Sequence, residues 1–239
     1  VTVGEGSTVG RIANAVSSAG GLTGTTKIIL TKATLTGTLS NTAAADITIG
    51  AGTTVKNVYN AVDGVLPAER STITVAGATI TGNLQNEAPA AVKVQAGSSI
   101  RNLISSGEPV AGWTTPTIDL AGCKILGSFS NYVAAAISLD TVQFSGMTTI
   151  GTGAGMTIDI LNSLFAYLVN SGNSVGRIRV EGSNFQSIQN DGDDVASIAI
   201  VGGAEANTLV NNGNRVTLAF TGNGGDDVFV NNGAMDGAH

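Results

Sequence analysis

One phrase constrains this chain more than any other feature: an apolar residue, any residue and then Asn, returning about once every twenty positions. Toward the end it reads Leu168-Val169-Asn170, Ile188-Gln189-Asn190, Leu209-Val210-Asn211 and Phe229-Val230-Asn231, each followed by Gly172, Gly192, Gly213 or Gly233. Earlier copies are Ile12-Ala13-Asn14, Leu39-Ser40-Asn41, Val58-Tyr59-Asn60, Leu84-Gln85-Asn86 and Phe129-Ser130-Asn131. Leu103-Ile104-Ser105 and Thr149-Ile150-Gly151 are degenerate copies that fill the gaps, for about eleven in all. A period of this length, written in short apolar stretches with Asn and Gly at the corners, belongs to a solenoid.

A short alternating strand precedes each phrase, as in Ile47-Thr48-Ile49, Ile73-Thr74-Val75, Ile118-Asp119-Leu120 and Ile178-Arg179-Val180. That is the period of a strand with one buried face. With a further apolar residue between strand and phrase (Leu35, Val55, Ile80, Ile100 or Ile125), each coil is expected to hold two or three short strands around an aliphatic stack. The chain thus reads as all-β, a single-stranded parallel β-helix of about eleven coils of ~20 residues, roughly 50 Å long at ~4.8 Å per coil. Irregular corners and few strict hexapeptides favour the right-handed form. At the corner, Asn tolerates positive φ and its amide can bond its own backbone or the Asn stacked above. The following Gly is expected to supply a second positive φ.

Over residues 1–135 a longer period of 45 is superimposed: Ala51-Gly52, Asn57, Gly82 and Asn86 recur as Ala96-Gly97, Asn102, Gly127 and Asn131. Long coils alternate there with short ones, and the extra residues all follow the Asn corner: Ala15 to Thr25, Ala61 to Ser71 and Ser106 to Thr117. These three loops are expected to project from one edge. Residues 136–239 continue the same solenoid with plain coils.

Composition narrows the partners. Aromatics are 4% and charged residues 12% of the chain, so the core must be narrow and aliphatic. A net charge of −6 without any basic cluster argues against nucleic acid. No apolar run reaches the roughly 18 residues of a membrane span. Cys123 is the sole cysteine; it aligns with Ala78 one long period earlier and reads as a small buried filler. Val1 without an initiator Met or a leader is the pattern of a processed or truncated fragment. The ends of such a rod are open edges, expected to continue into another domain or to dock against other chains.

The whole chain resembles parallel β-helices of the kind found in phage tailspikes, virion decoration and fibre proteins, and bacterial adhesin passengers. The match is one of architecture and composition, without a family-specific motif. It implies a virion, extracellular or cell-surface location, a non-enzymatic structural role, and other protein chains as partners, including further copies of itself. An adhesin that binds a surface glycan is the alternative, and a tailspike-like glycan hydrolase or lyase the third reading.

Candidate sites are few, and neither cofactor nor metal is expected. Gly222 to Phe229 resembles one partial copy of the calcium-binding nonapeptide of RTX solenoids, a family that needs several stacked copies; a polar turn is the simpler reading. Asp119 and Asp159 fall two coils apart on the outward face of the first strand, near ~10 Å, just beyond the usual gap of an inverting carboxylate pair. The acidic and His signatures of pectin depolymerases are absent, so no catalytic residue is assigned, and Asp159 is expected to pair with Arg179. Outward Thr residues raise ice binding, but Lys93, Asp119, Asp159 and Arg179 interrupt the row. The contact candidates are Tyr59, Glu108, Trp113 and Tyr132, a Trp in a loop of an aromatic-poor chain being a plausible anchor.

Overall fold

The computed structural model of the protein describes residues 1–15, 25–61, 71–106, 115–151 and 155–234. They form a parallel β-solenoid in which each turn lays one strand in each of two sheets. In the first sheet, Ile28, Ile47, Ile73, Val92, Ile118, Ile137, Ile158, Ile178, Ile198 and Leu218 stack directly upon one another. In the second, Leu39, Val58, Leu84, Leu103, Phe129, Thr148, Leu168, Ile188 and Leu209 do the same. Strand alternation turns both columns inward, where they meet as one dry core. Full burial of each such side chain is worth about 1.5–3 kcal/mol over leaving it exposed. Phe165 and Phe185 stack within this core with ring centroids 5.3 Å apart.

The phrase recurs about eleven times, yet the solenoid amounts to about nine turns. The first and last copies form rungs paired on one side only, Ile12–Asn14 with Leu39–Asn41 and Val228–Asn231 with Thr208–Asn211. The third strand of each coil is not a separate sheet either. It is the first part of the second sheet, set off by a shift of register between Leu35 and Thr38, and again between Ile100 and Asn102. The strands Thr34–Asn41 and Thr79–Asn86 carry one more residue at this kink than Thr54–Asn60 and Ser99–Ser105, whereas most of the extra length of the long coils follows the Asn corner. Gly82 and Gly127 sit there because a Cβ would come within 2.2 Å of the Asn57 and Asn102 Oδ1 atoms. Those same oxygens accept the Asn83 and Ser128 backbone N–H groups at 2.9 and 3.0 Å.

The Asn corner works differently from the expectation on one point. Its Asn residues have no positive φ, and neither do Gly172, Gly192, Gly213 and Gly233. Those glycines stack on one another so closely that a Cβ on Gly192 would lie 2.0 Å from the Gly172 carbonyl oxygen. Positive φ occurs at the opposite corner, between the two sheets, in the column Lys32, Gly52, Gly77, Gly97, Gly122, Thr141, Asn162 and Gly182, and, four residues beyond the Asn in the later coils, at Ser174, Asp194 and Arg215.

The Asn side chains point inward, as the third residue of an in-out-in strand must, and all but Asn14 and Asn231 of the two end rungs are buried. All of them except Asn131 are satisfied through their neighbours. The Asn14 amide donates to Asn41 Oδ1 at 2.5 Å, Asn41 to Asn60 at 2.6 Å and Asn60 to Asn86 at 2.7 Å. After a break, Asn170 donates to Asn190 at 2.7 Å, Asn190 to Asn211 at 2.8 Å and Asn211 to Asn231 at 2.7 Å. The other amide hydrogen goes to the carbonyl two residues on, as from Asn190 to Gly192 at 2.9 Å and from Asn86 to Ala88 at 2.7 Å. The result is a polar spine through an apolar core, in two runs whose side-chain bonds all point from the earlier rung to the later.

The break falls at the degenerate copies. Ser105 occupies the position between Asn86 and Asn131 and is too short to bridge them. Its hydroxyl and the Asn131 Oδ1 are both buried without a partner. Ser105→Asn would accept from Asn86 and donate to Asn131, and is expected to stabilise the protein by about 1–2 kcal/mol. A urea unfolding midpoint raised relative to the parent checks this; an unchanged or lower midpoint contradicts it.

Candidate functional site

The three insertions leave the solenoid along one line. Asn14, Asn41, Asn60, Asn86 and Ser105 form one in-register column, so the departure points after Asn14, Asn60 and Ser105 stack with one rung between each. Most of the inserted residues, and with them Glu108 and Trp113, lie outside the described residues.

Tyr59 and Tyr132 both flank this edge. Tyr59 takes the outward middle position of the phrase, between Ser40 and Gln85. Its hydroxyl donates to Glu87 Oε2 at 2.8 Å, while the Gln85 amide donates to Glu87 Oε1 at 2.5 Å. Glu87 therefore holds the tyrosine against the corner. Tyr132 follows Asn131 directly, is 50% exposed, and lays its ring over Gly151, where a Cβ would stand 2.8 Å from its Cδ1. The two tyrosines are three rungs apart, about 14 Å at ~4.8 Å per rung. They do not converge on one site.

The outward face of the first sheet carries the predicted column: Thr48, Thr74, Lys93, Asp119, Ser138, Asp159, Arg179, Ala199 and Ala219 lie in register. Asp119 and Asp159 are two rungs apart with Ser138 between. The expected pair of Asp159 with Arg179 is not formed, although the two are register neighbours. Asp159 Oδ2 instead takes the guanidinium of Arg177 at 2.5 Å, and Arg179 turns along its own strand to Glu181. A diagonal partner lets the long Arg side chain lie along the sheet. With the Arg177 side chain about half exposed, such a pair is worth about 1 kcal/mol or less.

Sequence reading missed two surface features. On the outer face of the second sheet, Met147 and Tyr167 are register neighbours and Leu164 shares the strand of Tyr167; all three are about half exposed. Their spacing from the inward residues was the available signal. At the Asn corner of the later coils, an exposed polar ladder runs outside the buried one. Asn173 Oδ1 accepts the Asp193 N–H at 2.8 Å, and Asp193 Oδ1 accepts the Asn214 N–H at 2.7 Å. Beside it the Arg215 guanidinium grips both Asp194 oxygens, and its hydrogen bonds hold that carboxyl below its ordinary range. A depressed carboxyl contributes stability above its unfolded-state range and loses it as pH falls.

In the terminal turn Asp227 accepts from the Asn207 backbone N–H at 2.9 Å and from its side chain at 3.0 Å. It acts as a brace to the preceding coil. Among the described residues no group of three or more His, Cys, Asp and Glu side chains could hold a metal ion, and no helix is long and apolar enough to cross a membrane. Cys123 is buried between Ser98 and Val142 in a column of small residues, and burial pushes its thiol up to about 11. It should resist an aromatic disulfide reagent at mildly alkaline pH until the protein unfolds. Labelling of the folded protein at the rate of a free thiol would contradict that burial.

No protein-family model, curated protein or solved structure matches the chain.

Proposed function

We propose that this chain is a non-enzymatic structural component of an extracellular or virion assembly, a stiff rod that carries its loops along one edge. One observation supports the reading best. The polar residues that recur most regularly, Asn41, Asn60, Asn170, Asn190 and Asn211, are buried and bonded to one another. The repeat thus goes into stacking coils, and the outward carboxylates Asp119 and Asp159 are separated by a rung, with one of them braced by Arg177. A narrow solenoid with this spine resists local opening, because each coil opens only by breaking ladders on both sides.

The test is fractionation of the natural source with an antibody to the chain. A structural component co-purifies with intact particles or envelope in fixed stoichiometry and survives salt washing. Reversible capture by a polysaccharide column would support the adhesin reading, to which the half-exposed Tyr132 at the loop edge lends itself. Polymer cleavage abolished by Asp119→Asn or Asp159→Asn would replace the structural reading with an enzymatic one.

A further inference from the structure

Charge is segregated between the two sheets. The outward face of the first carries Asp46, Asp119, Asp140, Asp159 and Glu181 among its bases. The strands of the second carry Lys56, Arg101 and Lys124 and no Asp or Glu. These three side chains are exposed, and none forms an ion pair or hydrogen bond with a described residue. A chain in which 17 carboxylates face 11 bases thus turns one uncompensated basic face outward. Lys56 and Arg101 follow the inward residues Val55 and Ile100 of one column and lie two rungs apart, about 10 Å at ~4.8 Å per rung. Lys124 is the register neighbour of Ser99 in the strand of Arg101.

The same face turns apolar where this row ends. Leu126 follows Ile125, the register partner of Ile100, and so stands beside Arg101. Lys124, Gln143 and Leu164 form one column, and Met147 and Tyr167 form another. Leu126, Met147, Leu164 and Tyr167 are each about half exposed. Three bases therefore run into four apolar side chains on one continuous sheet face.

The combination selects the partner. A soluble polyanion gains nothing from Leu126, Met147 and Leu164, and duplex nucleic acid, with one charge per about 1.7 Å of axis, calls for a denser basic row. An anionic bilayer surface matches both parts. Its headgroup phosphates attract Lys and Arg, its acyl boundary takes half-exposed apolar side chains, and the interface between them favours Tyr. The net charge of −6 does not oppose this contact. Packed sheets lie about 10 Å apart, and exposed charges are screened over about 8 Å at physiological ionic strength. The carboxylates of the first sheet are therefore weakly felt at the second.

We infer that the outer face of the second sheet docks the rod lengthwise on an anionic phospholipid surface. Lys56, Arg101 and Lys124 meet the headgroup phosphates, and Leu126, Met147, Leu164 and Tyr167 enter the boundary beneath them. The inference goes beyond the structural reading above and does not depend on it.

Co-sedimentation of the full chain with vesicles tests it. Vesicles of mixed phosphatidylglycerol and phosphatidylcholine should carry the protein down, vesicles of phosphatidylcholine alone should not, and added salt should release it. Each of Lys56→Gln, Arg101→Gln and Lys124→Gln should weaken the partition about fivefold, whereas Lys93→Gln on the first sheet should leave it unchanged. Met147→Ser combined with Leu164→Ser should weaken it too, at constant charge. Every substituted side chain is exposed, so circular dichroism should not change. Protein that stays in solution with the anionic vesicles overturns the inference, as do equal binding to neutral vesicles, second-sheet variants that bind like the parent, or an equal loss from Lys93→Gln. Retention on immobilised polyuronate or oligo-dT that needs the three bases but is indifferent to Met147 and Leu164 would overturn it in favour of a soluble polyanion. A chain that ignores vesicles yet co-purifies with particles in fixed stoichiometry would lose the lipid face and keep its structural role.

Discussion

Replacing Asn190 by Ala is expected to cost about 3–5 kcal/mol, a large part of the stability of a chain this size. Asn190 is fully buried and makes three side-chain bonds: it accepts from Asn170 and donates to Asn211 and to the Gly192 carbonyl. Truncation strands three buried polar groups at once, each at about 1–3 kcal/mol before local relaxation. Asn190→Asp keeps the shape but replaces the amide donor with an acceptor that faces the Asn211 Oδ1 and the Gly192 carbonyl. Burial raises the folded-state pKa of such a carboxyl, so this variant should gain stability as pH falls, the reverse of an ordinary carboxylate. Urea midpoints for both variants across the acid range would check the size and the sign. A loss of under about 1 kcal/mol for Asn190→Ala would mean that the spine is ornamental.

Gly213→Ala is the second large effect, expected at about 3 kcal/mol. Its Cβ would lie 1.9 Å from the Gly192 carbonyl oxygen and 2.8 Å from the Asn190 amide nitrogen. Neither can move without breaking the coil beneath. Gly97→Ala is the useful comparison, because its Cβ meets nothing nearer than 3.7 Å while its φ is +76°. That change should cost only about 1–2 kcal/mol of backbone strain. Equal losses at the two positions would show that close stacking at the Asn corner is not what excludes a side chain there.

Residue by residue, the sequence was informative where a position faces inward and quiet where it faces out. The in-out-in phrase determined the register of both sheets and the self-bonding of the corner amides, because a buried Asn every coil has few other ways to be satisfied. It misassigned the reason for the glycines: Gly172, Gly192, Gly213 and Gly233 avoid a carbonyl, while the positive φ values sit at the opposite corner and at Ser174, Asp194 and Arg215, two residues beyond Gly172, Gly192 and Gly213. The Ala-Gly pairs at Gly52, Gly77, Gly97 and Gly122 pointed to that second corner. Lys32, Thr141 and Asn162 obscured it by filling the same column.

The surface was harder to read, since outward pairs depend on reach and rotamer more than on register. Asp159 therefore found Arg177 diagonally, where adjacency had suggested Arg179. Tyr59 and Tyr132, named as contact candidates, lie three rungs apart, a separation that a count of coils alone gives. Repetition also exaggerated length: the end copies of the phrase are rungs with one described neighbour, and Phe229 in the last of them stays exposed.

The central claim is that a directional ladder of buried side-chain amides is the structural spine of this rod. Hydrogen exchange of the Asn side-chain amides, followed by NMR on selectively labelled protein, tests it most directly. The ladder predicts that the Nδ2 hydrogens of Asn41, Asn60, Asn170, Asn190 and Asn211 exchange as slowly as the backbone amides of Ile47 and Ile178. Asn232, exposed at the last rung, should exchange far faster. Exchange of the five buried amides at the rate of Asn232 would contradict the account.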